Sequence, residues 1–244
     1  MPLPVMNGKE IFVTSGSTRA YLDAMMYLSN RSSGRLGAEI AAECLRRGAY
    51  VSYFHGKSAI TPVLLQQEDP KILEEEDFSR LDMIEIETVP QLAGAIEREL
   101  KEGYYDAAIH AMAVLDYVPD LSTVLMGTTR KDRTDWDLKL VPTPSIAEMI
   151  KRISPETTLV GFCADVNIDP EKLKAGAQEL MEKSGAEIVV ANDLAHLKQT
   201  EYQGVLVDRD PEGGGFRGVE IQGRVTLAKT LCDRLEDLLK AKTE

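Results

Sequence analysis

Short runs of β-branched and apolar residues alternate with stretches of helical periodicity along the chain, a pattern that predicts βαβ units and a mostly parallel sheet in an α/β fold. Glu10–Thr14 reads as the first strand. Leu36 to Arg47 reads as a helix, with Leu36, Ile40, Ala41, Cys44 and Leu45 on one face and Gly48 placed to end it. Further strands are expected at Tyr50–Phe54, Met83–Glu87, Asp106–His110, Asp137–Val141, Thr158–Cys163 and Ala186–Ala191. Thr88-Val-Pro-Gln91 has capping-box spacing and opens a helix that runs to Gly103; Thr143-Pro144 is read as the cap of a helix over 145–153, and another helix spans 170–183. Gly204–Asp208 and Arg217–Ile221, on either side of Pro211-Glu-Gly-Gly-Gly215, predict a hairpin. The last helix, about 224–241, sets Val225, Ala228, Leu231, Cys232, Leu235, Leu238 and Leu239 at helical spacing, which makes a core face.

Two stretches break the pattern. Gly56 to Leu81 is rich in turn and acidic residues and reads as a solvated connection with a structural role only. Residues 111–135 have no periodicity, and a loop of that length in a compact domain is usually functional or disordered. No repeat or linker divides the chain, so one domain over residues 1–244 is expected.

Charge changes the picture in one respect. The 244 residues hold 28 Lys+Arg against 40 Asp+Glu, a formal net charge of −12, which disfavours binding to nucleic acid or to an anionic membrane because both need clustered positive charge. Residues 1–60 are the exception. Seven bases (Lys9, Arg19, Arg31, Arg35, Arg46, Arg47, Lys57) outnumber four acids (Glu10, Asp23, Glu39, Glu43), a local +3 that suits a small anionic ligand. The three cysteines, Cys44, Cys163 and Cys232, form no C-x-x-C pair and read as reduced thiols. The N-terminus lacks a signal-like charged region and apolar stretch, and no run of 18 apolar residues occurs, so a cytoplasmic location and no membrane are expected.

In open parallel sheets ligands sit at the carboxyl ends of the strands. Ser15-Gly-Ser-Thr18 follows the first strand, and Ser29-Asn-Arg-Ser-Ser-Gly34 leads straight into a helix; hydroxyls, glycine and helix N-terminal N–H groups together make an anion cradle, or else two ordinary turns. Ala111-Met-Ala-Val-Leu-Asp-Tyr-Val-Pro119 follows the strand ending at His110. Asp116 there can hold Mg²⁺ through water or be a solvated loop aspartate, and His110 reads as a core histidine rather than a base. A dinucleotide fingerprint is lacking, since Ser15-Gly-Ser-Thr-Arg-Ala20 is two glycines short, and the Tyr53/Lys57 pair, at a strand end with Gly56 inside it, is treated as chance.

Six segments, in order, resemble the phosphopantothenoylcysteine synthetase family of coenzyme A biosynthesis: Val13-Thr-Ser-Gly-Ser-Thr-Arg19, Leu28-Ser-Asn-Arg-Ser-Ser-Gly-Arg-Leu-Gly37, Ala113-Val-Leu-Asp-Tyr117, Lys139-Leu-Val-Pro-Thr-Pro-Ser-Ile146, Val160-Gly-Phe162 and Ile188-Val-Val-Ala-Asn-Asp193. The resemblance implies a Rossmann-like three-layer fold with a mostly parallel sheet and a C-terminal hairpin, and a homodimer. It further implies a ligase that joins 4′-phosphopantothenate to L-cysteine through an acyl-nucleotidylate, using CTP (or ATP) and Mg²⁺. The first strand lies so near the N-terminus that the stand-alone form, without the decarboxylase domain, is expected.

By the same resemblance Ser15, Gly16, Ser17, Thr18, Ser32, Ser33 and Gly34 would cradle phosphates, Asn30 would orient the activated acyl group, and Asp116 would meet the metal and triphosphate. Ala113 and Phe162 would border the base, and Lys183 would meet the nucleotide. The flap, about 118–135, departs from the family's Lys-(Ile/Leu)-x-(Ser/Lys) pattern; it reads Arg130-Lys-Asp-Arg133, where Lys131 is assigned as the catalytic lysine. Glu179 also replaces a basic residue. The alternatives are a relative that ligates a different carboxylate and a non-catalytic nucleotide-binding protein.

Overall fold

The computed structural model describes residues 6–122, 124, 127, 135–194, 202–210 and 214–242. Strands β1 (Glu10–Ser15), β4 (Tyr50–Gly56), β5 (Leu81–Ile86), β6 (Ala107–His110), β9 (Thr158–Asp165) and β10 (Ile188–Asp193) are mutually parallel. Antiparallel β11 (Gln203–Arg209) and β12 (Phe216–Gln222) extend the sheet as the expected hairpin, giving the spatial order β12-β11-β10-β9-β6-β1-β4-β5. Counted along the chain, the parallel strands run 3-2-1-4-5-6, and the order reverses between β1 and β6. In such a sheet the crevice for a ligand opens above the carboxyl ends of those two strands.

The layers follow from side-chain alternation. Ile11 and Val13 face one side of β1 and Phe12 the other, and both faces are buried, as a central parallel strand requires. Helices α1 (Arg35–Arg46) and α6 (Arg224–Ala241) close the first face over Ile11, Val13, Ile109 and Val190. Helices α3 (Val89–Glu102), α4 (Ile146–Ile153) and α5 (Pro170–Ser184) close the second over Phe12, Phe54, Leu159 and Val189. The leucines of α6 are core, and Cys44 and Cys232 meet between α1 and α6 as free thiols with Sγ atoms 3.7 Å apart. The third thiol, Cys163, is half-buried, and burial pushes it up to about 11.

Of the two helix caps read from the sequence, one stands and one is corrected. Thr88 and Gln91 form the capping box of α3. The cap of α4 is corrected: Ser145, not Thr143-Pro144, accepts from the Glu148 N–H at 3.3 Å, because Thr143 is used elsewhere. Its hydroxyl donates to the Leu115 carbonyl at 2.6 Å and its N–H to the Asp116 carbonyl at 2.9 Å.

Three other readings are corrected. The stretch 56–81 is not merely solvated connection; it holds α2 (Pro62–Glu68), capped by Thr61, and a 3-10 helix, Glu75–Arg80, and buries Leu65 and Leu73 against α1's side of the sheet. The polar loop after β1 contains a hairpin, β2 (Arg19–Tyr21) with β3 (Tyr27–Ser29). The strand expected at Asp137–Val141 is β8 (Leu140–Pro142), which pairs antiparallel with β7 (Tyr117–Pro119) outside the main sheet. Prolines at 119 and 142 keep that ribbon three residues long, since neither can donate to a ladder.

Candidate active site

Three loops converge above the switch point: 15–18 after β1, 29–34 before α1 and 56–61 after β4. They meet at van der Waals distance because of glycine. Gly16 has φ +84°, and a Cβ there would lie 2.5 Å from the Ala59 Cβ. Gly34, at φ +76°, forms the N-cap of α1 with no side-chain cap, so the first N–H groups of that helix have no capping side chain. Of the other helices that begin at this edge, α2, α3, α4 and α5 are each capped by a side chain, Thr61, Thr88, Ser145 and Asp169, whereas α6, which starts after Gly223, is like α1 without one.

The cradle residues divide by task. Ser15 is fully buried and donates through Oγ to the Gly34 carbonyl at 2.8 Å, fastening the first loop to the second. Thr18 is also buried, and its Oγ1 accepts from the Leu115 N–H at 3.0 Å. Ala113 is stitched beside them, accepting from Thr18 N and donating to the Gly16 carbonyl. Ser17 and Ser29 share a hydroxyl contact of 3.0 Å at the surface of the cradle, where Ser32 is half-exposed and Ser33 exposed. Asn30 is exposed and donates from Nδ2 to the Val114 carbonyl at 2.9 Å, which bridges the second loop to the one after β6. Asp116 lies in that same loop, exposed and without a side-chain partner among the described residues.

Ser17, Ser29, Asn30 and Ser32 line a cavity of about 200 Å³ together with three groups the sequence reading did not assign: Arg19, Ser58 and Tyr27. Ser58 was hidden in the stretch read as connection. Arg19 stood in a quoted segment, and the local +3 was the signal for it.

The structure separates other candidates from this place. Lys183 lies in the last turn of α5 and does not line the cavity; its ammonium is 4.0 Å from Glu148, in the first turn of α4. Phe162 is half-buried on β9 and packs against the core on α1's side. Lys131 and most of the flap lie outside the described residues. His110 is a core histidine as expected: Nδ1 is 2.7 Å from Thr14 Oγ1, and burial depresses its pKa to about 4, so it is neutral.

Among the described residues no group of three His, Cys, Asp or Glu side chains can hold a metal. A magnesium ion held chiefly by phosphate oxygens and water needs only one or two carboxylates, and the exposed, unpartnered oxygens of Asp116 fit that demand.

A family match decides the affiliation. Residues 6–238 match the family described as DNA/pantothenate metabolism flavoprotein, C-terminal domain. The chain belongs to this family. Membership agrees with the resemblance carried by the six segments. Among its relatives is the coenzyme A biosynthesis bifunctional protein CoaBC of Thermococcus kodakarensis, 34% identical over 235 residues, which covers 96% of this chain and 52% of the relative. The Bacillus subtilis protein of the same name is 28% identical over 78% of this chain and 41% of the relative. The chain thus spans about half the length of these curated relatives.

Solved structures share the family fold. The DNA/pantothenate metabolism flavoprotein from Streptococcus pneumoniae superposes with a TM-score of 0.78 at 23% identity, over 95% of this chain and 100% of that one. A Cab2 variant in complex with phosphopantothenate-cysteine superposes with a TM-score of 0.72 at 18% identity, over 96% and 88%. No helix among the described residues is long and apolar enough to cross a membrane.

Proposed function

We propose that this chain is a phosphopantothenate–cysteine ligase of coenzyme A biosynthesis, acting in the cytoplasm. The observation that carries this reading is the cradle at the β1/β6 switch point, where glycine-tight serine loops meet the start of α1, whose first N–H groups have no capping side chain. The names of the relatives point the same way, since one superposed protein is described with phosphopantothenate-cysteine bound.

The chemistry proposed is activation followed by amide formation. The carboxylate of 4′-phosphopantothenate attacks the α-phosphorus of CTP, or of ATP, and pyrophosphate leaves; the amine of L-cysteine then displaces the nucleotide from the acyl-nucleotidylate. Asn30 holds the acyl end, and Ser17, Ser32, Ser33 and the N–H groups after Gly34 stabilise phosphoryl charge as it develops. Ser15, Gly16 and Thr18 set the spacing of the loops. Ala113, in the loop after β6, and Phe162, on β9, border the base. Asp116 would hold Mg²⁺, which when bound offsets the charge of the triphosphate. Lys131 is kept as the flap lysine that meets the phosphoryl group. Lys183, in the last turn of α5, is given no part within one protomer.

A homodimer is part of the proposal. Tyr21, Met25, Met26 and Tyr27 of the β2–β3 hairpin and Tyr117 and Leu140 of the β7–β8 ribbon are exposed apolar residues on adjoining elements beside the cradle, and clusters of that kind mark interaction surfaces.

The test is direct. Purified protein with 4′-phosphopantothenate, cysteine, Mg²⁺ and CTP or ATP releases pyrophosphate and forms the amide; no release with either nucleotide refutes the reading. Binding of CTP without turnover would favour the non-catalytic alternative.

A further inference from the structure

Arg19, the first residue of β2, is held by three elements. Its guanidinium lies 4.4 Å from the centre of the Tyr27 ring on β3 and donates through Nη2 to Ser58 Oγ, in the loop after β4, at 2.5 Å. Glu87, at the end of β5, is 3.5 Å from Nη1; it is shared with Lys57, at 3.6 Å, and accepts from the Tyr21 hydroxyl. Among the described residues Arg19 is the one charged side chain lining the cavity of about 200 Å³, whose other polar side chains are Ser17, Tyr27, Ser29, Asn30, Ser32 and Ser58. A whole small-molecule site occupies roughly 300–1,000 Å³, so this cavity takes a single head group. A guanidinium fork with several hydroxyls is donor chemistry suited to a tetrahedral phosphate dianion.

We infer that Arg19 and Ser58 form the subsite for the terminal phosphate of the acid substrate and thereby select the phosphorylated over the unphosphorylated acid. This rests on the ligase reading above. The nucleotide is the other source of phosphate, and placement argues against it. Asp116 follows β6 and Phe162 lies within β9, whereas Ser58 follows β4 and Arg19 is paired with Glu87 after β5. Asn30 touches both sides: it lines the cavity and donates to the Val114 carbonyl, two residues before Asp116. An acid with its carboxylate at one end and a phosphate at the other, bound with the carboxylate at Asn30 toward the nucleotide, puts its phosphate at Arg19.

The experiment uses Arg19→Gln, Arg19→Lys and Ser58→Ala in the full chain, varying 4′-phosphopantothenate, cysteine and nucleotide in turn. Arg19→Gln raises KM for the acid by about 10–100-fold, the scale of a lost charged hydrogen-bond pair, and leaves kcat and the nucleotide KM within about twofold. Its preference for phosphopantothenate over pantothenate falls by the same factor. Ser58→Ala shows a smaller rise of a few-fold, and Arg19→Lys recovers part of the loss. A rise confined to the nucleotide KM assigns the phosphate to the triphosphate and overturns the inference, as does an unchanged KM for every substrate. Thermal melts accompany each variant; if Arg19→Gln fails to fold, Arg19→Lys and Ser58→Ala decide. If the wild type does not turn over, the ligase reading fails separately. The subsite is then read by calorimetry with inorganic phosphate, which the wild type binds and Arg19→Gln does not; no binding to the wild type overturns it.

Discussion

Asn30 is exposed, yet its Nδ2 is committed to the Val114 carbonyl, which fixes the side chain between the loops after β1 and β6. Asn30→Ala removes a polar group placed where acyl and phosphoryl charge develop, and turnover is expected to fall by about 10²–10³, the scale of one lost transition-state donor. Near-wild-type turnover in steady-state assays would remove Asn30 from the chemistry. His110 makes a different prediction, about pH. The folded ring titrates near 4 and the unfolded ring near 6.5, so above pH 6.5 both are neutral and the group does not affect stability. As pH falls through 6.5 the unfolded chain takes up the proton first, and stability is lost down to about pH 4, by on the order of 2–3 kcal/mol in total. Urea midpoints measured from pH 7 to 4.5 should therefore fall more steeply in the wild type than in His110→Gln; parallel slopes would show that the ring is not buried neutral. That His110 is structural was legible from its place among apolar strand residues. That Ser15 and Thr18 spend their hydroxyls on backbone was not, because a serine in a turn reads the same whether it faces a ligand or a carbonyl 19 residues away.

The longer elements are where the pattern put them: α1, α3, α5 and α6 each bury a face that repeats at helical period, and the six parallel strands coincide with the short apolar runs to within two residues at either end. The misread elements are short. α2 spans seven residues, β2, β3, β7 and β8 three each, and a three-residue strand carries too few side chains to display an alternation. Helix starts depend on single side chains, and α4 shows how one can mislead. Both Thr143 and Ser145 are good caps by type, and only the pull of the Leu115 carbonyl on Thr143 decides between them. Ser145→Ala should cost about 1 kcal/mol by chemical denaturation, with Ile146–Ile153 the helix that frays in hydrogen exchange. Thr143→Ala should leave α4 protection unchanged and loosen the β7–β8 ribbon; if instead it frays α4, the capping assignment is wrong.

At the scale of the molecule, the net charge of −12 describes a surface, while the basic N-terminal quarter supplies Arg19 and the uncapped start of α1 to a single crevice. The apolar end beside that crevice carries the oligomer prediction. Sedimentation of the wild type should give a dimer, and Met25→Asp with Tyr117→Asp should shift it to monomer, because a carboxylate buried in an apolar interface is costly. A wild type that sediments as a monomer at all concentrations would rule the dimer out. The sequence by itself determined the α/β class, the order of the long elements and the family, because each rests on local periodicity or on residues contiguous in the chain. Which residues surround Arg19 was decided only by the tertiary structure. Arg19, Ser58 and Glu87 are 39 and 68 residues apart from first to second and first to last, with no period linking them, and they meet because the sheet places β4 and β5 beside β1 and the strand order reverses there.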